Sequence, residues 1–486
     1  MTDLAIVLFA LALAEPDGTK IGERPALERR LDQEAVDRGA VGLRELIDYG
    51  RALFDARFNR LDGQGRPAST GGGAARTPDQ PAFIRTSAPD ADSCVGCHAQ
   101  PASGGSGDFV ANVFVLAQNS DPVTQSVEGS FSNERNTLGM MGSGPIEMLA
   151  REMTAELFAI REEARGAARS SGITQTRPLV AKGISFGTIT VHAGGKVDPS
   201  GIEGVDWDLI VKPFHQKGVV VSLREFSSNA MNHHHGMQSA ERFGFDTDPD
   251  GDGMRNELLP GDITAITVFQ AALNTPGQVL PHDPARRQAI ANGARWFEEI
   301  QCASCHVPAL RLNDRNFTEP NPFNPPGNLS PEDVAAPFRF DMTREGPGPR
   351  LERAPGGGAI VRAFTDLKRH DLSDADYGHF ANEQVPQGKL TGFALPSEFT
   401  IAPAPRPTRQ FLTRKLWDVG NTGPYGHRGD LTLITDAIDF HGGEARASRD
   451  AFFALPQERR DEIVEFLKSL QVLSDGAARF VHEGED

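Results

Sequence analysis

The sequence predicts a mainly α-helical fold made of two similar modules in tandem, with a small β insertion in the first. Three observations carry this. The pentapeptide Cys-x-x-Cys-His occurs twice, at 94–98 and 302–306, and takes all four cysteines of the 486-residue chain. Runs with apolar residues at helical spacing stand before each copy and near the end of each half. Short β-branched runs flanked by glycine lie between the two copies.

Taken in order, 43–59 has Leu43, Leu46, Ile47, Leu53 and Phe54 on one helical face, and a Gly/Pro/Ser-rich loop then runs from 62 to 91 into the first cysteine pair. A helix is expected over 145–163, with Met148, Leu149, Met153 and Leu157 along one side. Segments 184–193 and 218–223 read as strands of one small inserted sheet. A further helix is expected over 262–273. The Pro-containing stretch 276–287 sets the domain boundary, giving modules 15–278 and 279–486. The helix expected over 289–300 leads directly into Cys302. Segment 311–349 reads as Asn/Pro-rich loop. The closing helix, 457–470, is apolar at Ile463, Val464, Phe466, Leu467 and Leu470.

Lys plus Arg number 49 against 66 Asp plus Glu, a formal charge of −17, which argues against a nucleic-acid binder. Hydrophobic residues are 38% and charged residues 24%, so the chain is neither a disordered polyanion nor a membrane bundle. With 51 Gly and 34 Pro, it is expected to be loop-rich. Residues 4–14 form an apolar run too short to span a bilayer and end in an Ala-x-Ala pattern. They read as a signal peptide, 1–14, despite Asp3 and the lack of Lys or Arg before them; a buried helix is the other reading. Export to the periplasm and no membrane span are therefore expected.

Cys-x-x-Cys-His reads as a c-type haem attachment motif. Thiols at i and i+3 can bond to the two porphyrin vinyl groups, and the adjacent imidazole then lies under the iron. A zinc site would need further paired ligands. A thioredoxin-like pair would not need the His twice. The expectation is two covalent haems in two cytochrome-c-like domains, held by Cys94, Cys97, His98 and by Cys302, Cys305, His306. A strong sixth ligand on both irons makes an electron carrier, whereas one open site makes an enzyme.

A separate loop, Asp246-x-Asp248-x-Asp250-Gly251-Asp252 with Glu257 at its end, fits a twelve-residue calcium loop. Oxygen donors fall at positions 1, 3 and 5, Gly at 6, the Asp252 carbonyl at 7 and a bidentate Glu at 12. Gly253 at position 8 argues against a paired EF-hand, so a structural Ca²⁺ clamp is expected. The alternative is a plain acidic turn.

The second half resembles the bacterial di-haem cytochrome c peroxidase superfamily, closest to its di-haem oxidoreductase branch. The residues that carry this are Asp366-Leu-Lys-Arg-His370-Asp371, the stretch Leu416-Trp-Asp-Val-Gly-Asn-Thr-Gly-Pro424-Tyr425-Gly426-His427-Arg-Gly429, and Leu431 through His441. The first half is similar through Arg135-Asn136-Thr137 and Gly144-Pro145-Ile146-Glu147-Met148.

The resemblance implies a sixth ligand fourteen positions after His427, where the superfamily has Met or Tyr and this chain has His441. A bis-His iron, His306 and His441, would have a lower potential than a His/Met one. A helix-end His at 441 is the alternative. His427 is expected to support a ligand or a propionate rather than to ligate. The resemblance also implies peroxide reduction at the N-terminal haem with Glu147 as the catalytic base; otherwise Glu147 caps its helix. One of His233, His234, His235 or Met237 could close that haem, or the cluster could be solvated or bind a propionate. Trp296 and Trp417 are candidates for an inter-haem route or for core packing. The acidic surface suits a soluble donor with a basic patch, such as a small cytochrome c or a cupredoxin. Rival readings are a pure electron-transfer protein and a haem-dependent dioxygenase.

Overall fold

The computed structural model describes residues 22–65, 91–114, 132–378, 409–473 and 481–483. The expected signal peptide and most of the loop before Cys94 lie outside them. None of the described helices is long and apolar enough to cross a membrane.

The first core forms around two helices, α1 (Leu43–Asp55) and α4 (Pro260–Ala271). Helix α1 buries Leu46, Ile47, Leu53 and Phe54 and stops at Ala56, shorter than the periodicity suggested. Helix α4 is buried along its whole length, as expected of a helix apolar on every side. The two approach so closely that a Cβ on Gly50 would collide with the Ala265 carbonyl. Between them in sequence, α2 (Ser143–Ser171) runs well past the expected end and closes on Gly172 in the left-handed conformation. Helix α3 (Leu223–Ala230) starts at Ser222, whose side chain accepts from the Glu225 amide.

The second core is smaller. Helix α5 (Pro284–Glu299) opens with Asp283 accepting from the Ala285 and Arg286 amides and with Pro284 in its first turn. It crosses α7 (Gln457–Ser469), where a Cβ on Gly293 would collide with the Glu462 carbonyl. Phe297, Phe364, Phe452 and Phe466 fill this core. A short helix, α6 (Ile434–Asp439), ends just before His441.

Each core packs against one cysteine turn. Cys94 and Val95 sit against the first and Cys302 and Ala303 against the second. The first core also draws on residues from Leu310 to Leu367, on Trp417 and on Val472. The expected boundary at 278/279 falls inside the strand Gly277–Leu280, which pairs with Leu470–Gln471 and Val481–Glu483.

Two sequence expectations need correction. The fold is less uniformly helical than predicted: the described residues hold six small sheets, in both halves. Ile184–Val191 is a strand, paired with Gln175–Ala181 and Val197–Asp198. Segment 218–223 is not its neighbour. Only Val220 makes a bridge, to Phe214, because the Ser222 cap turns the chain into α3. Segment 311–349, read as loop, contains the hairpin-like pair Asn316–Glu319 and Phe338–Asp341.

Candidate functional site

The two cysteine pentapeptides fold alike. Cys94–Gly96 and Cys302–Ser304 each form one 3₁₀ turn. The His98 amide donates to the Cys94 carbonyl and the His306 amide to the Cys302 carbonyl, both at 3.0 Å. All four cysteines are half-buried and none is in a disulfide. Burial pushes the thiols of Cys94 and Cys302 up to about 12, which marks them as protonated thiols rather than reactive thiolates.

Each following imidazole is fixed the same way. His98 Nδ1 donates to the Gly105 carbonyl at 3.2 Å and His306 Nδ1 to the Phe364 carbonyl at 3.1 Å. A proton on Nδ1 leaves Nε2 as the ring's lone-pair nitrogen, the usual arrangement for a metal-binding imidazole. Burial lowers both histidines to about 4, helped at His98 by nearby His234 and at His306 by His441. Both rings are therefore neutral at physiological pH, as a ligand must be.

His441 faces His306, with ring centroids 6.5 Å apart. Its Nδ1 donates to the Ala437 carbonyl at 2.7 Å, and burial keeps its pKa low. Two imidazoles binding one metal from opposite sides, each through a bond of about 2.0 Å, have centroids roughly 6.3 Å apart. The residues present thus fit a haem iron between His306 and His441.

The N-terminal side is built differently. A π-helical turn, Met231–His235, follows α3 and carries the His-rich segment. His235 is buried, with Nε2 3.5 Å from Cys94 Sγ and Nδ1 2.7 Å from the Ala91 carbonyl. Met237 is packed into the first core. The His233 side chain lies outside the described residues.

Glu147 is fully buried, and both carboxylate oxygens are engaged. Oε1 accepts from Arg151 and from Asn321 at 2.9 Å, and Oε2 from the Leu223 amide at 2.8 Å. It does not cap its own helix, where Gly142 is the N-cap; it satisfies the first amide of α3. Around it lies a buried ionic group, in which Arg224 pairs with Glu241 and with Glu319 at 2.9 Å.

His427 is buried, bonded to Gln216 through Nδ1 and edge-on to Phe411 at 5.1 Å. The Asn136 side chain donates to the Pro424 carbonyl at 2.7 Å and so links the two halves. Trp417 is fully buried beside Gly142, whereas Trp296 is part-exposed and donates to Glu462 at 2.9 Å.

The acidic loop gathers in a register two residues later than expected. Carboxylate oxygens of Asp248, Asp250 and Asp252 lie within 4.8 Å of one another. Asp248 accepts from the amides of Gly251, Asp252 and Gly253. Gly251 and Gly253 are both left-handed, at φ +73° and +93°, and Gly253 stands five residues after Asp248, where the pattern places its turn glycine. Asp246 is outside the group and is paired with the Asn256 side chain. Glu257 is buried next to the cluster, pushed up to about 9 by burial and then by the three aspartates. Its Oε2 accepts from the Gln238 amide at 2.7 Å. The side-chain oxygen Asp252 Oδ2 is buried without a hydrogen-bond partner, which suits a cation-binding group.

Sequence reasoning assigned no role to Asp366, His370 and Glu444. His370 Nε2 is 2.8 Å from Asp366 and Nδ1 2.7 Å from Glu444, with Cys305 beside them. Burial opposes a charge on this ring, but bonds to Asp366, Cys305 and Glu444 outweigh it and raise the pKa to about 11. The signal was the Asp366-to-His370 motif itself, which was used only for the resemblance.

Each half thus presents a turn that ends in a buried imidazole oriented by a backbone carbonyl, the arrangement a haem iron would need. More particularly, residues 406–470 match the family model "Di-haem oxidoreductase, putative peroxidase". This is the segment that carries His427 and His441, and the match supports a di-haem redox role. No curated protein matches the sequence. Among solved structures, the chain is similar to a hydrazine synthase of Kuenenia stuttgartiensis, at 13% identity and TM-score 0.37, over 94% of this chain and 99% of that one. It is also similar to a MauG-like protein associated with microbial copper homeostasis, at 17% identity and TM-score 0.26, over 53% of this chain and 68% of that one.

Proposed function

We propose that the protein is an exported di-haem c-type oxidoreductase that passes electrons between two covalently held haems and reduces peroxide on the His98 side. The observation that carries this is the His306–His441 pair at 6.5 Å, each ring oriented by a backbone carbonyl. When bound, each haem supplies one-electron redox chemistry at its iron. Cys94 and Cys97, and Cys302 and Cys305, would hold the porphyrins. His98 and His306 would be the proximal ligands, and His441 would close the C-terminal iron. His427 holds its turn in place through Gln216. A soluble cytochrome c or cupredoxin would be the donor, drawn by the net negative charge.

Glu147 contributes to this by holding Arg151, Asn321 and the start of α3 in place. Both its oxygens are engaged, so we do not assign it the proton transfer that peroxide cleavage needs. Asp248, Asp250 and Asp252, with Glu257 below them, would hold a structural Ca²⁺.

A second reading, a pure electron carrier, is favoured by one observation: the His-rich turn Met231–His235 packs onto the N-terminal cysteine turn, with His235 Nε2 3.5 Å from Cys94 Sγ. Low-temperature electron paramagnetic resonance on the oxidised and half-reduced protein separates the two. A high-spin ferric signal in either state supports the enzyme, and peroxide turnover with a reduced cytochrome is then expected. Two low-spin signals that persist on half-reduction and ignore peroxide would replace it with the carrier.

A further inference from the structure

The segment 364–374 touches both sides of the C-terminal half-site. At its start, the Phe364 carbonyl orients His306. Along its length it is stitched to the loop that follows His441. The Gly442 amide donates to the Leu372 carbonyl at 3.1 Å and the Gly443 amide to Asp374 at 2.9 Å. The Asp371 amide donates to Glu444 at 2.8 Å. Gly443 sits at φ +55°, and a Cβ there would collide with the Asp371 carbonyl, so the contact depends on glycine.

At the centre of this strap is His370, in the strand Arg369–Asp371 that pairs with Gln410–Leu412. Its two nitrogens bond to two carboxylates on different elements: Asp366 in the strap and Glu444 in the His441 loop. A carboxylate only accepts, so both nitrogens donate, and each bond is charge-assisted. Asp366 and His370 are almost fully buried, whereas Glu444 is half-exposed.

We propose that His370, bridging Asp366 and Glu444, is a positioning residue that holds the His441 loop at ligating distance from His306. This rests on the reading that His306 and His441 share one iron. Without the bridge, the strap would still orient His306, but the His441 loop would keep only its amide bonds to the strap and the Arg446–Asp374 pair, and would lose its charge-assisted tie to the buried Asp366. His441 would then leave the iron more often.

The test uses the holoprotein with both haems attached. Carbon monoxide binding to the fully reduced protein reports how often His441 leaves. Electron paramagnetic resonance reports the resting ligation. In His370→Gln and in Glu444→Gln, a carbon monoxide phase at the C-terminal haem is expected roughly tenfold or more faster than in the wild type, as follows from losing a charge-assisted hydrogen bond. Haem content should stay unchanged, and Glu444→Asp should restore much of the wild-type rate. If both Gln variants keep the wild-type rate within about twofold, the bridge does not position His441 and the proposal falls, while bis-His ligation stands. If the wild type itself lacks a bis-His low-spin signal, the ligation reading fails first. Should His370→Gln fail to fold, Glu444→Gln decides alone, because its side chain is half-exposed.

Discussion

The two cysteine turns are nearly superimposable in their local bonding, yet their surroundings differ. At the C-terminal turn, the opposing imidazole is supplied by a short helix end, and His441 stands 6.5 Å from His306. At the N-terminal turn, the candidate partners come from a π-helical turn, and His235 is spent on Cys94 and Ala91. The cysteine turn is local and repeats, whereas what stands opposite its imidazole is set by tertiary structure, separately on each side. On one side a second buried imidazole faces it. On the other the histidines sit on a π-helical turn, a feature frequent at functional sites.

The largest expected effect breaks this asymmetry outright. His441→Ala should abolish the low-spin bis-His signal of the C-terminal haem and produce a high-spin one, while leaving the N-terminal signal alone. His234→Ala is the matching change on the other side. It should alter the N-terminal signal only if His234 itself caps that iron. A C-terminal spectrum unchanged by His441→Ala would remove the basis of the bis-His reading.

The next effect sharpens the comparison of the two cores. In each, a glycine allows two helices to touch: Gly50 against Ala265 in the first and Gly293 against Glu462 in the second. Gly293→Ala places a methyl on a backbone carbonyl that cannot move aside. It should cost about 3 kcal/mol, the upper part of the overpacking range, in urea unfolding followed at the C-terminal haem. Gly166→Ala, on a face of α2 with open space, should be neutral or slightly stabilising. Equal midpoints for Gly293→Ala and wild type would show that the crossing is not tight.

Much of this was legible in the sequence, and the limits have physical causes. The Cys-x-x-Cys-His turns are decided within five residues, so the spacing alone placed them. Helix α7 was read almost to the residue because its apolar face is periodic. The 218–223 stretch misled because its β-branched residues favour a strand locally, while the Ser222 cap starts a helix. The Pro-x-Glu-Met match that suggested Glu147 as a base carries no information about Arg151, one turn away, or Asn321, elsewhere in the chain, which engage its carboxylate. The acidic loop has overlapping Asp-x-Asp repeats, so two registers fit the pattern, and only the Asp248 bonds to the amides at 251–253 choose between them.

A smaller effect follows from that register. With calcium at about a hundred times its Kd, the loop should add about 2.7 kcal/mol to stability. A chelator should lower the thermal midpoint of the wild type and leave Asp250→Asn unmoved. Asp246→Asn should still respond, because Asp246 is outside the carboxylate group. A midpoint insensitive to chelator in the wild type would make the loop an acidic turn without a cation.

The smallest effect concerns the ionic group around Glu147. It sets three carboxylates, Glu147, Glu241 and Glu319, against two guanidiniums, Arg151 and Arg224. One negative charge is in excess, and it falls on Glu319, whose Oε2 is buried without a hydrogen-bond partner. Burial raises the Glu319 pKa to about 7, Arg224 opposes the rise, and Glu147 adds to it. The folded-state value is above the ordinary 4.5, so the folded state binds the proton more tightly than the unfolded one. The resulting stability is fully present below pH 4.5 and is lost as pH rises through 7. Glu319→Gln keeps the bond to Arg224 and removes the titration. Its stability should fall less between pH 4.5 and 7.5 than the wild type's, by under about 1.4 kcal/mol per pH unit. Asp262, raised to about 6 by burial, has the same sign and leaves part of the slope in place. Parallel stability–pH curves for variant and wild type would mean that Glu319 is ionised in the fold and that the excess charge is held elsewhere in the group.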